Sequence, residues 1–253
     1  MKIDGSAAIV TGAGSGMGAA TAEALARAGA KVALLDFNLE AARTVAHSIG
    51  GAAFPCDVAD AASAETALAA AREAHGPPRV CVNCAGIAAA KRIVGKSGPM
   101  PLEDFARVIQ VNLIGTFNVM RLAAAQMREL DPDPETAERG VIVNTASVAA
   151  YEGQVGQAAY SASKGGVVSL TLPAARELST LGIRVLTIAP GLVGTPMMGA
   201  MPREVQEGLA AQVPFPKRLG RPGEFASLVL HILDNVLLNG EVIRLDGALR
   251  MQP

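Results

Sequence analysis

The sequence predicts an α/β protein built on one doubly wound, seven-stranded parallel sheet flanked by helices. Short β-rich runs alternate along its 253 residues with longer Ala-rich helical stretches, and a glycine-rich turn joins the first strand to the first helix. No Pro/Ser-rich linker, internal repeat or low-complexity tract divides the chain. At roughly 100 to 200 residues per domain the length allows one large domain or two small ones. The unbroken alternation favours one, spanning 1–253 and of the Rossmann type.

The strands are expected at 7–10, 31–35, 52–54, 79–83, 141–145, 183–189 and 241–245, each a short run rich in Val, Ile, Leu or Ala. Helices are expected near 16–28, 38–48, 61–74, 102–130, 157–180 and 223–233. Asp131-Pro132-Asp133-Pro134 stops the fourth helix, because proline lacks the N–H and restricts the residue before it. Pro173 should kink or break the fifth for the same reason. The 18 residues of 185–202 carry no charge, but Pro190, Pro196 and Pro202 with Gly191, Gly194 and Gly199 would interrupt a membrane-spanning helix repeatedly. They read as a buried strand leading into an apolar loop, and no membrane partner is expected.

Lys and Arg number 22 against 23 Asp and Glu, a formal charge of −1, and no basic block compensates locally. That removes the electrostatic footprint of nucleic-acid binding. With 3% aromatic residues, stacking platforms for bases are scarce as well. Cys56, Cys81 and Cys84 are too few for a disulfide scaffold and fit a reducing, cytoplasmic setting. Cys81 and Cys84 spell C-x-x-C within a strand, where a separation of three points the sulfurs apart, so no metal is expected. The chain starts six residues before its first strand, which leaves no space for a targeting peptide.

Thr11-Gly12-Ala13-Gly14-Ser15-Gly16-Met17-Gly18 follows the first strand. A pyrophosphate needs bare backbone there, because a Cβ would hold it away from the free N–H groups and dipole of the helix N-terminus. By itself the turn is equally well a plain strand-to-helix corner. Its context is Asp36, directly after the second strand, where a carboxylate meets adenosine ribose hydroxyls and repels the extra phosphate of NADP. The cofactor expected is NAD; the alternative for Asp36 is a helix N-cap. Asp57-Val58 and Asn83-Cys84-Ala85-Gly86 end the third and fourth strands at the same edge, Asp57 again having helix capping as its alternative.

Tyr160 and Lys164 lie one helical turn apart on one face. A lysine ammonium favours phenolate, so such a tyrosine can act as a base near neutral pH. Ser147 stands just past the strand 141–145, where its hydroxyl could hold a substrate oxygen. Thr195-Pro-Met-Met-Gly-Ala-Met201 reads either as an adaptable thioether wall within a substrate-binding lid at 194–216 or as core packing. His47, His75 and His231 fall on helices or their ends and read as surface residues.

With these motifs in place, the chain resembles the short-chain dehydrogenase/reductase family over nearly its whole length. The matches are Thr11-Gly12-x-x-x-Gly16-x-Gly18, Asn83-x-Ala85-Gly86, Asn112, Ser147, Tyr160-x-x-x-Lys164 and Pro190-Gly191. The resemblance implies an NAD-dependent oxidoreductase interconverting a secondary alcohol and a ketone. Tyr160 would be the acid/base, Ser147 would orient the substrate, Lys164 would bind the nicotinamide ribose, and Asn112 would hold a water in a proton relay. Implied for the cofactor are Gly12, Ser15, Gly16, Met17, Gly18, Asp36, Phe37, Asp57, Val58, Asn83, Cys84, Ala85, Gly86, Tyr160, Lys164, Pro190, Val193 and Thr195; for substrate, Ser147, Gln154 and Tyr160. Cys84 stands where the family often has a second Asn. The runs 144–160, 212–216 and 239–253 are similar to family members that oxidise 3-hydroxyacyl-CoA, which implies that substrate and a homotetramer with the C-terminal tail near a neighbouring subunit. The loop 88–101 differs from them; its Lys91, Arg92 and Lys96 either meet CoA phosphates or form a solvated basic loop. Competing readings are a 3-oxoacyl thioester reductase, a hydroxysteroid dehydrogenase and a non-catalytic NAD-binding scaffold.

Overall fold

A computed structural model describes residues 1–199 and 202–252. Its main sheet has seven strands: β1 (Ala7–Thr11), β2 (Lys31–Asp36), β3 (Ala52–Pro55), β4 (Val80–Asn83), β7 (Gly140–Thr145), β8 (Ile183–Pro190) and β9 (Val242–Leu245). They lie in the order β3-β2-β1-β4-β7-β8-β9 with every pairing parallel. The order reverses direction at β1 and β4, so their carboxyl ends flank the switch point where open α/β sheets hold ligands.

Successive strand residues feed opposite faces, as period-2 pleating requires. Ile9, Leu35, Cys81 and Ile142 join one core layer, with Leu68 of α3 (Ala61–His75), Val119 of α5 (Gly115–Met127) and Ala174 of α6 (Ala158–Ser179). Their neighbours Val10, Leu34, Val82 and Val143 join the other. There they meet Leu25 of α1 (Gly16–Arg27), Ala46 of α2 (Leu39–Ile49) and Phe225 of α9 (Pro222–Asp234). Both faces are thus apolar, which explains why the central strands read as continuous hydrophobic runs. The uncharged stretch begins in the wholly buried strand β8, as expected, but continues into a short helix at Pro196–Gly199.

Three sequence expectations change. The helix expected over 102–130 is α4 (Leu102–Ile109), a π-helical turn (Gln110–Ile114) and α5 in succession, ending at Met127. Leu102–Met127 is long and apolar enough by composition to cross a membrane, but half of that window is buried inside the fold. Pro173 does not break α6: both Pro173 and Ser169, whose carbonyl loses its helical partner, face solvent, where water can satisfy the orphan oxygen. The third concerns loops: a hairpin, β5 (Val94–Gly95) with β6 (Gly98–Pro99), and helices α7 (Pro196–Gly199) and α8 (Arg203–Ala211) occupy segments expected to be irregular. Ala200 and Met201 of the expected Met-rich loop lie outside the described residues.

At the amino edge of the sheet, Arg184 of β8 donates to Glu138 at 2.5 Å and to the carbonyls of Ile232 and Leu238 at 3.0 and 2.7 Å, tying α9 to the sheet. Both side chains of the ion pair are buried. Removing one partner strands the other charge in low dielectric, a loss of about 3–5 kcal/mol. Glu138→Ala should lower the unfolding free energy in urea by about that much. Glu40→Ala, which breaks the exposed pair with Arg43, should change it by at most about 1 kcal/mol.

Candidate active site

The carboxyl ends of the strands open into a cleft of about 820 Å³. Because β2 and β3 lie on one side of β1 and β7 and β8 on the other, Asp36, Phe37, Asp57 and Val58 line one end of it. Ser147, Tyr160, Pro190, Val193 and Thr195 line the other. The glycine turn runs between them. Gly12 has φ +62°, and a Cβ on it would stand 2.8 Å from the Ala85 nitrogen. One on Gly18 would overlap the Gly12 carbonyl. Thr11 Oγ1 accepts the Cys84 and Ala85 N–H groups at 3.2 and 3.1 Å, which holds the turn against the end of β4. Ser15 at the N-cap of α1 makes no side-chain capping bond, so the helix N-terminus beside the cleft keeps free N–H groups for an anion.

Asp36 and Asp57 are not helix caps. Asn38 caps α2, accepting the Ala41 N–H at 3.1 Å, and Asp60 caps α3, accepting that of Ser63 at 2.6 Å. Asp36 instead accepts the N–H groups of Gly14 and Asn38, each at 2.8 Å, and Asp57 accepts that of Ala59 at 3.0 Å. These bonds fix the carboxylates at the cleft and leave lone pairs for hydroxyl donors.

At the far end, Ser147 N-caps a 3-10 turn (Val148–Ala150), accepting the Ala149 N–H at 3.1 Å. Tyr160 and Lys164 sit on the first turns of α6, with the ammonium 5.9 Å from the phenol ring centre. Lys164 donates to the Thr145 carbonyl at 2.7 Å, which leaves two N–H groups for other partners. A lowered Tyr160 pKa is not what the protein alone produces. Burial pushes the phenol above its usual value, and only the Ser147 hydroxyl pulls it back. Burial also brings Lys164 down to about 8, since desolvation opposes the ammonium.

Three expected site residues do not line the cleft. Asn83 is buried beneath it, donating to Asn144 Oδ1 at 2.9 Å. Asn112, in the π-turn, accepts the Ile87 N–H at 2.8 Å and donates to the Ile87 carbonyl and Ser163 Oγ at 2.9 and 3.1 Å. Its amide is therefore spent on joining the loop after β4 to α6. Gln154 turns outward and donates to the Gln252 carbonyl at 2.9 Å; Gln157, three residues on, lines the wall instead. Arg107, Gln110, Met198 and Met251 line it too. Nothing in their sequence surroundings marked the first two or Met251, which are brought in by α4, the π-turn and the tail.

Cys84 lines the cleft with its thiol raised to about 11 by burial, so it carries no charge there. Cys81 belongs to the opposite core layer; the C-x-x-C sulfurs do point apart and all three cysteines are free. No cluster of metal-ligating side chains occurs among the described residues. His47 and His231 are exposed, and His75 is half-buried away from the cleft.

A pocket with a glycine-lined helix N-terminus at its middle, two carboxylates at one end and a serine, tyrosine and lysine at the other has the parts to hold a dinucleotide beside an alcohol. Residues 6–206 match the family model for short chain dehydrogenase. The chain belongs to the short-chain dehydrogenase family. As a short-chain dehydrogenase it is an oxidoreductase acting on CH–OH donors. It is 56% identical to 3-hydroxyacyl-CoA dehydrogenase type-2 of Bos taurus over 256 residues, covering 100% of this chain and 98% of the relative. It is 54% identical to the protein of that name in Homo sapiens, with the same coverage. A crystal structure of 3-hydroxyacyl-CoA dehydrogenase type-2 from Mycobacterium avium superposes with a TM-score of 0.92 at 42% identity, covering 98% of this chain and 97% of that one.

The buried lysine makes stability depend on pH. With a folded pKa of about 8 against 10.5 for the free group, Lys164 holds more protons unfolded than folded between those values. Its contribution to stability is therefore smallest below pH 8 and rises towards pH 10.5. Relative to Lys164→Met, the cofactor-free wild type should gain unfolding free energy across that window in urea titrations; a constant difference would contradict the burial.

Proposed function

We propose that this short-chain dehydrogenase uses NAD to interconvert a 3-hydroxyacyl-CoA and its 3-oxoacyl-CoA. The observation that carries the reading is the pairing, in one cleft, of Asp36 at one end with Ser147, Tyr160 and Lys164 at the other. The printed names of the relatives support the choice of substrate.

Bare backbone at Gly12 and Gly16, with Ser15, Met17 and Gly18, suits a pyrophosphate at the α1 N-terminus. The Asp36 carboxylate would accept ribose hydroxyls and repel a 2′-phosphate, while Phe37, Asp57 and Val58 flank the adenine. Cys84, Ala85, Gly86, Pro190, Val193 and Thr195 border the rest of the cofactor path. When bound, nicotinamide supplies the hydride acceptor. Tyr160 removes the hydroxyl proton, Ser147 donates a hydrogen bond to the substrate oxygen, and Lys164 uses a free N–H on a ribose hydroxyl and supplies the positive charge that burial of Tyr160 makes necessary. A Cβ at Gly86 would lie 3.2 Å from Asn112 Oδ1 and 3.6 Å from Lys164 Nζ, so the bare glycine lets the loop after β4 pass close to both.

Residues 194–216 are assigned as a lid, since Thr195, Pro196 and Met198 line the cleft while α8 buries none of its residues. Exposed Arg92, just before the hairpin, and Lys96, in its turn, are assigned to CoA phosphates; Lys91 is already paired with Asp104. The reading includes a single domain over 1–253 and a homotetramer, for which exposed Ile114, Phe117 and Leu172 offer apolar contact surface. A cytoplasmic location with no nucleic-acid or membrane partner completes it, supported by balanced charge and free cysteines.

Tyr160→Phe should reduce kcat by roughly 10² to 10⁴-fold while leaving the NADH dissociation constant nearly unchanged; turnover near that of the wild type would remove Tyr160 from the chemistry. A screen of 3-hydroxyacyl-CoAs of graded length against hydroxysteroids and secondary alcohols should show highest kcat/KM for a CoA thioester. NAD should exceed NADP in the same assay, and Asp36→Ala should narrow that gap. Preference for NADP would instead favour a 3-oxoacyl thioester reductase.

A further inference from the structure

Beyond the serine, tyrosine and lysine, one residue lining the cleft comes from the far end of the chain. Leu249 is buried, and Met251, two residues later, lines the cleft. What holds this segment is a charged knot built on β9. Arg244 donates to both Glu152 oxygens at 2.9 and 3.1 Å, to Asp246 at 2.6 Å and to the Leu249 carbonyl at 3.0 Å. Glu152 then accepts the Met251 N–H at 3.1 Å, and Gln154 donates to the Gln252 carbonyl at 2.9 Å. Tyr151 covers the guanidinium, its ring centre 5.2 Å from Cζ.

Glu152 lies five residues past Ser147 on the segment that leads to Tyr160, so the tail is bonded to the catalytic segment itself and not to the adenosine end. A bidentate arginine–carboxylate pair, both partners about one-fifth exposed, has the fork geometry and partial desolvation that make such a contact directional.

We propose that the segment 249–252 is the distal wall of the substrate site, that Met251 sets which acyl chains fit, and that Arg244 and Glu152 are positioning residues that latch it to the catalytic segment. The proposal rests on the dehydrogenase reading for the identity of the substrate but not for the place of the wall. Met251 would meet the part of the substrate beyond the reacting carbon, and its flexible thioether suits an apolar chain. Arg244 and Glu152 touch neither the reacting atoms nor the chain; they act through the Leu249 carbonyl and the Met251 N–H.

The test measures kcat/KM over two parallel length series, straight-chain 3-hydroxyacyl-CoAs and 2-alkanols, for the wild type, Met251→Ala and Met251→Phe. The ratio of long to short substrates should shift about tenfold upward for Ala and downward for Phe, the size expected when an apolar pocket gains or loses a few methylenes. An unchanged ratio in both variants overturns the assignment of Met251. Inactivity of every CoA thioester with activity on the alkanols would defeat the acyl-CoA reading alone, and the alkanol series would still decide Met251.

The latch has a readout independent of turnover. The chain has no Trp, so Met251→Trp installs a lone indole in the wall. Adding Glu152→Gln should raise its quenching by acrylamide, and Glu152→Asp should raise it less. If quenching stays constant while urea stability falls, the pair is structural and the latch is refuted.

Discussion

All-parallel pairing in the seven-stranded sheet is the constraint on which the site depends. In register, Thr11 stands beside Asn83, Asn83 beside Asn144, and Thr145 beside Ile188. Every strand of that sheet therefore ends on the same edge, and residues scattered from 12 to 251 along the chain meet over one cleft. The helices that return the chain are confined to the faces, where small residues let them approach closely. The glycine turn is the tightest of these approaches: it must pass under the end of β4, and a single Cβ at Gly12 would meet main chain that cannot move aside.

The chemistry at the cleft is a consequence of burial more than of attraction. Tyr160 and Lys164 are both pushed towards their neutral forms, the phenol upward and the ammonium down to about 8. A pair poised in this way responds strongly to any charge or hydroxyl brought beside it, since each lost hydration bond can be replaced by a ligand. The anion-binding helix end and the fixed carboxylates at the opposite end of the cleft supply the complementary demand. In the proposed complex, adenosine ribose hydroxyls would satisfy lone pairs on Asp36 that backbone N–H groups leave open. On the proposed reading, the orientation of the dinucleotide would follow from which end offers acceptors and which end offers donors.

All seven main strands, the glycine turn and the Ser147, Tyr160 and Lys164 set were legible in the sequence, because each depends on local patterning or on residue types with few other uses. What escaped was produced by tertiary packing. The π-turn at Gln110–Ile114 is an extra residue absorbed within an apolar helix, and nothing in Gln-Val-Asn-Leu-Ile distinguishes it from α-helix. Gln154 and Gln157 are the same residue type three apart, and only the start of α6 decides which of them faces the cleft. Pro173 looked like a breaker because its missing N–H is read without knowing that the orphan carbonyl faces water. Met251 reaches the cleft through ion pairs between positions 92 residues apart, a distance at which hydrophobic periodicity carries no information.

The most direct measurement is a crystal structure of the protein grown with NADH and a 3-oxoacyl-CoA. Density should place the adenosine ribose against Asp36, the pyrophosphate over Gly12 to Gly18, and the ketone oxygen in hydrogen-bond reach of both Ser147 and Tyr160. A reversed dinucleotide, or a ketone lying away from Tyr160, would contradict the assignment of this edge of the sheet as the catalytic site.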